Sequence, residues 1–248
     1  MSFFKKFAIA FLLTVVLFGG GQSHFLSFVP GLSANGQSTT NDTIFELAIN
    51  KAKPEQPEEF KSTREAFVAE MVKEEGVGAN PTFLSFFTLS GELDSEVYIG
   101  LTEWASMEAI KQAAQNLGPA PVFKNYAATF DSLAYVRMKP EDGKPFDIDD
   151  ILKEGQVVEF AVRTVKPEFV DDFPQRREAF FDRVAEQEGY VLDREFVAVE
   201  GDERVVIIAW DSQEDFQNAL QNLTQQPEME QFFSILDVQT YQASQKVE

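Results

Sequence analysis

Side chains capable of chemistry recur in this chain at fixed separations: Glu46 with Glu159, Arg64 with Arg177, Trp104 with Trp210, and Tyr135 with Tyr241. The glutamates sit inside apolar runs, Ile44-Phe45-Glu46-Leu47-Ala48-Ile49 and Val157-Val158-Glu159-Phe160-Ala161-Val162. A carboxylate among such neighbours needs a partner, because an unpaired buried charge is costly. Arg64 and Arg177 each stand four residues after a helical phenylalanine, Phe60 and Phe173. They therefore project close to an apolar stripe and need partners too. The expectation is a Glu46–Arg64 pair and a Glu159–Arg177 pair between helices and sheet. Such a pair can orient an anion or a carbonyl. It can equally be a structural ion pair or a snorkelling arginine, and the structural role is the commoner. Trp104 and Trp210 can wall a pocket for a flat ligand or act as core aromatics, and Tyr135 and Tyr241 can orient a substrate or satisfy a buried neighbour. Glu103 joins the candidates. The first copy has Gly100, Thr102 and Glu103 where the second has Val206, Ile208 and Ala209. If only one pocket works, the more polar first copy is expected to hold it.

The residues that are missing exclude more than those present suggest. The chain has no cysteine, and its one histidine is His24. Disulfides are excluded. If the leader is removed after Ala34, Ser-His-Asp and Cys-His nucleophiles, histidine acid–base catalysis, the usual zinc ligand sets and His- or Cys-ligated haem are excluded as well. Asp147-Ile148-Asp149-Asp150 lacks the ligand spacing of a cation loop and reads as solvated linker. No phosphate loop or dinucleotide fingerprint occurs, and no metal or other cofactor is expected.

The elements that position these residues also come twice. Glu46–Gly76 and Glu159–Gly189 are identical at 12 of 31 positions at an offset of 113 (159 − 46), and Trp104–Tyr135 matches Trp210–Tyr241 at 10 of 32 positions at an offset of 106 (210 − 104). This is the signature of a tandem duplication. Each copy opens with an apolar strand ended by Lys-Pro-Glu. A helix follows, with Phe60, Phe67 and Met71, or Phe173, Phe180 and Val184, on one face and Gly76 or Gly189 as its stop. A hairpin comes next, with strands at Thr82–Leu89 and Glu96–Trp104, or Glu195–Val199 and Arg204–Trp210. Ser106 and Ser212 cap a second helix, and a last strand ends near Tyr135 or Tyr241. The order β-α-β-β-α-β is ferredoxin-like. Two repeats, 43–138 and 157–245, flank a linker, 139–156. Val205–Trp210 is apolar on both alternating faces, so its strand wants burial on both sides. The fold class is therefore α+β, two ferredoxin-like repeats packed sheet to sheet with helices outside.

Residues 1–34 read as signal peptide and leader. Lys5 and Lys6 precede an apolar run, Phe7–Phe18, followed by three glycines. That run is shorter than the roughly 20 residues a spanning helix needs, so export to the periplasm or the exterior is expected. The alternative is an uncleaved membrane anchor. Without the two lysines the chain carries 19 basic (21 − 2) and 41 acidic side chains. Such a surface repels nucleic acid and anionic membranes.

The order β-α-β-β-α-β, with a Trp closing the third strand and Ser-x-Glu soon after, resembles the antibiotic-biosynthesis monooxygenase (ABM) group of the dimeric α/β-barrel superfamily. The residues that carry the resemblance are Glu103-Trp104-Ala105-Ser106-Met107-Glu108 and Ala209-Trp210-Asp211-Ser212-Gln213-Glu214. It covers both repeats, so one chain would supply both halves of a barrel usually made by two, and a monomer is expected. The resemblance implies a pocket in each half between sheet and helices. It also implies a cofactor-independent monooxygenase acting on a small apolar or aromatic molecule. The alternative is a non-catalytic binding or structural protein on the same fold. Family members often place a histidine nine residues after the Trp; here those positions are Ala113 and Ala219.

Overall fold

The computed structural model describes residues 43–89 and 93–247, so the signal and leader read at 1–34 lie outside the described residues. The first half runs β1 (Ile44–Ala52), α1 (Pro57–Met71), β2 (Thr82–Thr88), β3 (Val97–Trp104), α2 (Met107–Leu117), α3 (Pro121–Ala127) and β4 (Phe130–Pro140). The second repeats the order with β5 (Val157–Val165), α4 (Phe173–Ala185), β6 (Tyr190–Ala198), β7 (Arg204–Trp210), α5 (Gln213–Leu223), α6 (Pro227–Phe233) and β8 (Leu236–Lys246). The short helices α3 and α6 are additions to the expected order. Each starts at a proline, whose fixed φ and missing N–H suit a first helical position.

The strands form one closed barrel in the order β1-β3-β2-β8-β5-β7-β6-β4, every pair antiparallel. The two sheets do meet as expected, and in addition their edges bond. β2 pairs with β8 from Phe83↔Lys246 to Thr88↔Gln242, and β4 pairs with β6 from Met138↔Ala198 to Pro140↔Phe196. Closure removes the unpaired edges that each half would otherwise expose.

Alternation along the strands sorts side chains into two layers. Phe45, Leu47 and Ile49 of β1 and Val158, Phe160 and Val162 of β5 fill the barrel with Phe83, Ile99, Phe196 and Ile207. The residues between them face the helices. This is why β7 is buried along its whole length after Arg204. The linker contributes as well. A single helical turn at Ile148–Ile151, capped by Asp147 accepting the Asp149 N–H at 3.0 Å, buries both isoleucines in the barrel core, and Phe146 packs edge-on against Phe45 and Phe196. The aspartates are solvated as expected, but the segment between them is a plug.

Two local devices place the helices over the second half. Gly189 follows α4 with φ 73°, and a Cβ there would collide with the Asp215 side chain at the start of α5. Ser212 caps α5, its Oγ accepting the Asp215 N–H at 3.2 Å and donating to Asp215 Oδ2 at 2.6 Å. Ser212→Ala is expected to cost about 1 kcal/mol, read as a lower urea midpoint with unchanged slope. Among the described residues, no helix is long and apolar enough to cross a membrane.

Candidate functional site

Glu159 lies on the helix-facing side of β5, opposite Ile208 of β7 and Ala243 of β8. Its carboxyl is buried under α4, α5 and α6 and held by two donors: Trp210 Nε1–H donates to Oε1 and the Tyr241 hydroxyl donates to Oε2. Three of the residues that recur in the sequence therefore converge in the second half. Burial in this apolar layer pushes the Glu159 carboxyl up to about 7, with the two hydrogen bonds acting in the opposite sense. Burial, and then the neighbouring Glu159, hold the Tyr241 hydroxyl well above its ordinary value.

Beside them is a cavity of about 50 Å³. Its floor includes Glu159, Arg163, Val206, Ile208, Trp210 and Tyr241, and its roof includes Phe180 and Phe181 of α4, Phe216 and Leu220 of α5, and Phe232 and Phe233 of α6. Leu89, just past β2, reaches in from the first half.

Arg163 is a site residue that sequence reasoning missed. It is 2% exposed, and Nη2 donates to Glu195 Oε2 at 2.7 Å. Its Nε and Nη1 are buried with no hydrogen-bond partner, and the guanidinium lies 5.6 Å from the Phe232 ring centroid. Burial works against its charge and Glu195 supports it. The signal was available: period-two alternation puts Arg163 on the same face as Glu159. A bulge in the β5–β8 pairing between Val162 and Arg163 falls beside it, where such irregularities commonly re-aim a side chain.

The expected Glu–Arg pairs do not form. Arg64 donates to the Thr82 hydroxyl and lies 5.6 Å over the Tyr98 ring. Tyr98 is opposite Asn50, four residues along β1 from Glu46, or about 13 Å at strand rise. Arg177 bonds Glu195 Oε2 at 3.0 Å through Nε and Asp193 Oδ2 at 2.5 Å through Nη2, both on β6, two strands across from β5. Arg64 therefore lands away from Glu46 along the sheet, and Arg177 lands two strands away from Glu159.

The first half assembles its equivalents differently. Tyr135 donates to Glu46 Oε2 at 2.5 Å but is 52% exposed, and Arg137 Nε reaches the Tyr135 oxygen at 3.4 Å. Burial raises the Glu46 carboxyl, opposed by Tyr135 and Arg137. Trp104 Nε1 is buried without a partner and does not join Glu46. Glu103 belongs to the barrel-facing set with Leu101 and packs against Gly78, where an added Cβ would lie 3.2 Å from Glu103 Cδ; it does not share a pocket with Trp104. Thr102 donates to Asn80 Oδ1 at 2.7 Å. The cavity that joins carboxyl, indole and phenol is thus in the second half. Among the described residues, no three His, Cys, Asp or Glu side chains converge to hold a metal ion.

No known family model and no curated protein matches the chain in sequence. Solved structures match it in shape. A candidate monooxygenase from Fusobacterium nucleatum is similar over 85% of this chain and 94% of its own, at 13% identity and a TM-score of 0.53. An anthrone oxidase-like protein is similar over 84% and 92%, at 12% identity and a TM-score of 0.55. A candidate chlorite dismutase is similar over 84% and 96%, at 8% identity and a TM-score of 0.56. These likenesses establish the fold. It is a closed eight-stranded antiparallel α+β barrel with both halves in one chain.

Proposed function

We propose that the chain is an exported protein whose second half oxygenates a small apolar or aromatic molecule without metal or haem, and that it works as a monomer. The observation behind this reading is Glu159, a carboxyl poised near neutrality at the floor of an aromatic-lined cavity. A general base works best when its pKa lies near the operating pH. In its ionised form Glu159 takes the proton of an acidic C–H. The substrate carbanion gives one electron to dioxygen, and the two radicals combine into a peroxide that regains the proton. Loss of water then leaves a carbonyl, so a CH2 group and O2 give C=O and H2O.

A second reading, non-catalytic binding, is favoured by the size of the cavity. About 50 Å³ holds a few waters at roughly 10–15 Å³ each. A ring-sized substrate enters only if rim side chains such as Leu89, Leu220, Phe233 and Val238, which are partly buried, turn aside. Oxygen uptake by the full chain over a panel of quinols and anthrones separates the readings. The oxygenase reading expects one O2 consumed per substrate and a loss of about 100-fold or more in Glu159→Gln. Binding without uptake leaves only the second reading, and neither binding nor uptake sinks both.

A further inference from the structure

The cavity has a second polar feature, distinct from the Glu159 carboxyl. Arg163 is fully charged at ordinary pH, buried, and leaves two N–H-bearing nitrogens unpaired. An unsatisfied buried donor is costly, so such a group calls for an acceptor. The first half shows what this position holds without that demand. The equivalent of Arg163 is Asn50 (163 − 113), which donates to the Tyr126 hydroxyl at 3.0 Å. The equivalent of Tyr126 is Phe232 (126 + 106), which offers no acceptor. The second half has exchanged a neutral, satisfied pair for a cation and a ring.

The nearby carboxylates do not reach Arg163 Nε or Nη1. Glu195 Oε2 is shared with Arg177, while Glu195 Oε1 is buried without a hydrogen-bond partner, 3.8 Å from an Arg204 that bonds Glu141 at 2.6 Å. Asp193 accepts from Arg177 and, at 2.7 Å, from Tyr190. Arg163 thus brings unpaired cationic donors to the cavity lining, while every lining residue from α4, α5 and α6 is apolar. The other titratable groups at the cavity are Glu159 and Tyr241, already bonded to each other.

We infer that Arg163 forms the anion-binding end of this cavity and that its ligand is a compact monocarboxylate whose short apolar body lies against the rings of α4 and α6. The volume restricts the body to a few carbon atoms in the present conformation. Glu159 accommodates such an anion when protonated and repels it when ionised. The inference rests on the same cavity as the oxygenase reading, but not on oxygenation.

The test is calorimetric titration of the full chain with acetate, propionate and butyrate, and with propionamide and butyramide as neutral isosteres, at constant ionic strength. The carboxylates are expected to bind about tenfold or more tightly than the matching amides, as charge-assisted bonds allow. Arg163→Gln should bring carboxylate binding down to the amide level, while Arg163→Lys retains part of it. Binding to the wild type should weaken as pH rises through about 7, and Glu159→Gln should abolish that weakening. Equal binding of amide and carboxylate, no carboxylate binding at tens of millimolar, or unchanged binding in Arg163→Gln would each overturn the inference. The wild-type comparison decides it even if the arginine variants fail to fold. Carboxylate selectivity without oxygen uptake removes only the oxygenase reading; uptake without selectivity removes only this one.

Discussion

Glu159→Gln is expected to stabilise the protein at about pH 8 by as much as ~3 kcal/mol while leaving its stability near pH 4 almost unchanged. The folded carboxyl titrates at about 7 against an ordinary value of 4.5. Below the ordinary value, folded and unfolded chains both hold the proton and the group contributes no penalty. Between the two values the unfolded chain releases its proton while the folded chain keeps it, so stability falls as pH rises. Above the folded value both are ionised and the loss is complete, at about 1.4 kcal/mol per pH unit of separation. Glutamine has the shape of the protonated acid and no charge to desolvate. It can accept from Trp210 Nε1–H and donate to the Tyr241 oxygen, so the indole N–H and the phenol oxygen keep partners. Urea denaturation of wild type and variant across this pH range measures the difference. A wild-type curve no steeper than the variant's would show that Glu159 is not the strained acid described. If Glu159 is also the proton acceptor, the same substitution raises stability and removes activity, as expected where a destabilised group is retained for function.

The elements were more legible in the sequence than the contacts between them. Ser106 and Ser212, Gly76 and Gly189, and the phenylalanine stripes of α1 and α4 report short-range chemistry, and all stand where the pattern puts them. Continuous apolar character in β7 pointed correctly to burial on both faces, whereas in β2, where Phe83–Phe87 suggested the same, Leu84, Phe86 and Phe87 are only partly buried. The Glu–Arg pairs failed because pairing depends on where over the sheet a helical side chain lands, which no local pattern encodes. Glu103 could have been excluded from the tryptophan pocket by alternation alone, since Glu103 and Trp104 are consecutive in one strand. Recurrence singled out Glu159, Trp210 and Tyr241, and cross-strand register made them a cluster. Recurrence also hid Arg163, because its counterpart is Asn50 and attention fell on what the copies share. The difference between the halves carried the information.

The buried ion network behind that difference makes Glu195 the most vulnerable polar residue of the second half. Its Oε2 accepts from Arg163 at 2.7 Å and from Arg177 at 3.0 Å, and the residue is 6% exposed. Glu195→Gln keeps the shape and removes the charge. Arg177 retains Asp193, but Arg163 is left as a buried cation without a counter-ion. Breaking such a pair from one side typically costs about 3–5 kcal/mol, because desolvation of the remaining charge is no longer offset. The penalty should be concentrated on Arg163, so adding Arg163→Met should recover most of it, whereas adding Arg177→Met should not. The first half supports this attribution. There Thr82 takes the place of Glu195 (195 − 113), Arg64 donates to it, and Asn50 replaces the second arginine. A Glu195→Gln variant within about 1 kcal/mol of wild type in urea denaturation would mean that solvent or another group already neutralises Arg163. A penalty rescued by Arg163→Met, and reduced by propionate in the single variant, would tie the stability of the second half to the charge at the end of its cavity. The anion would then do from the cavity side what Glu195 does from the strand side.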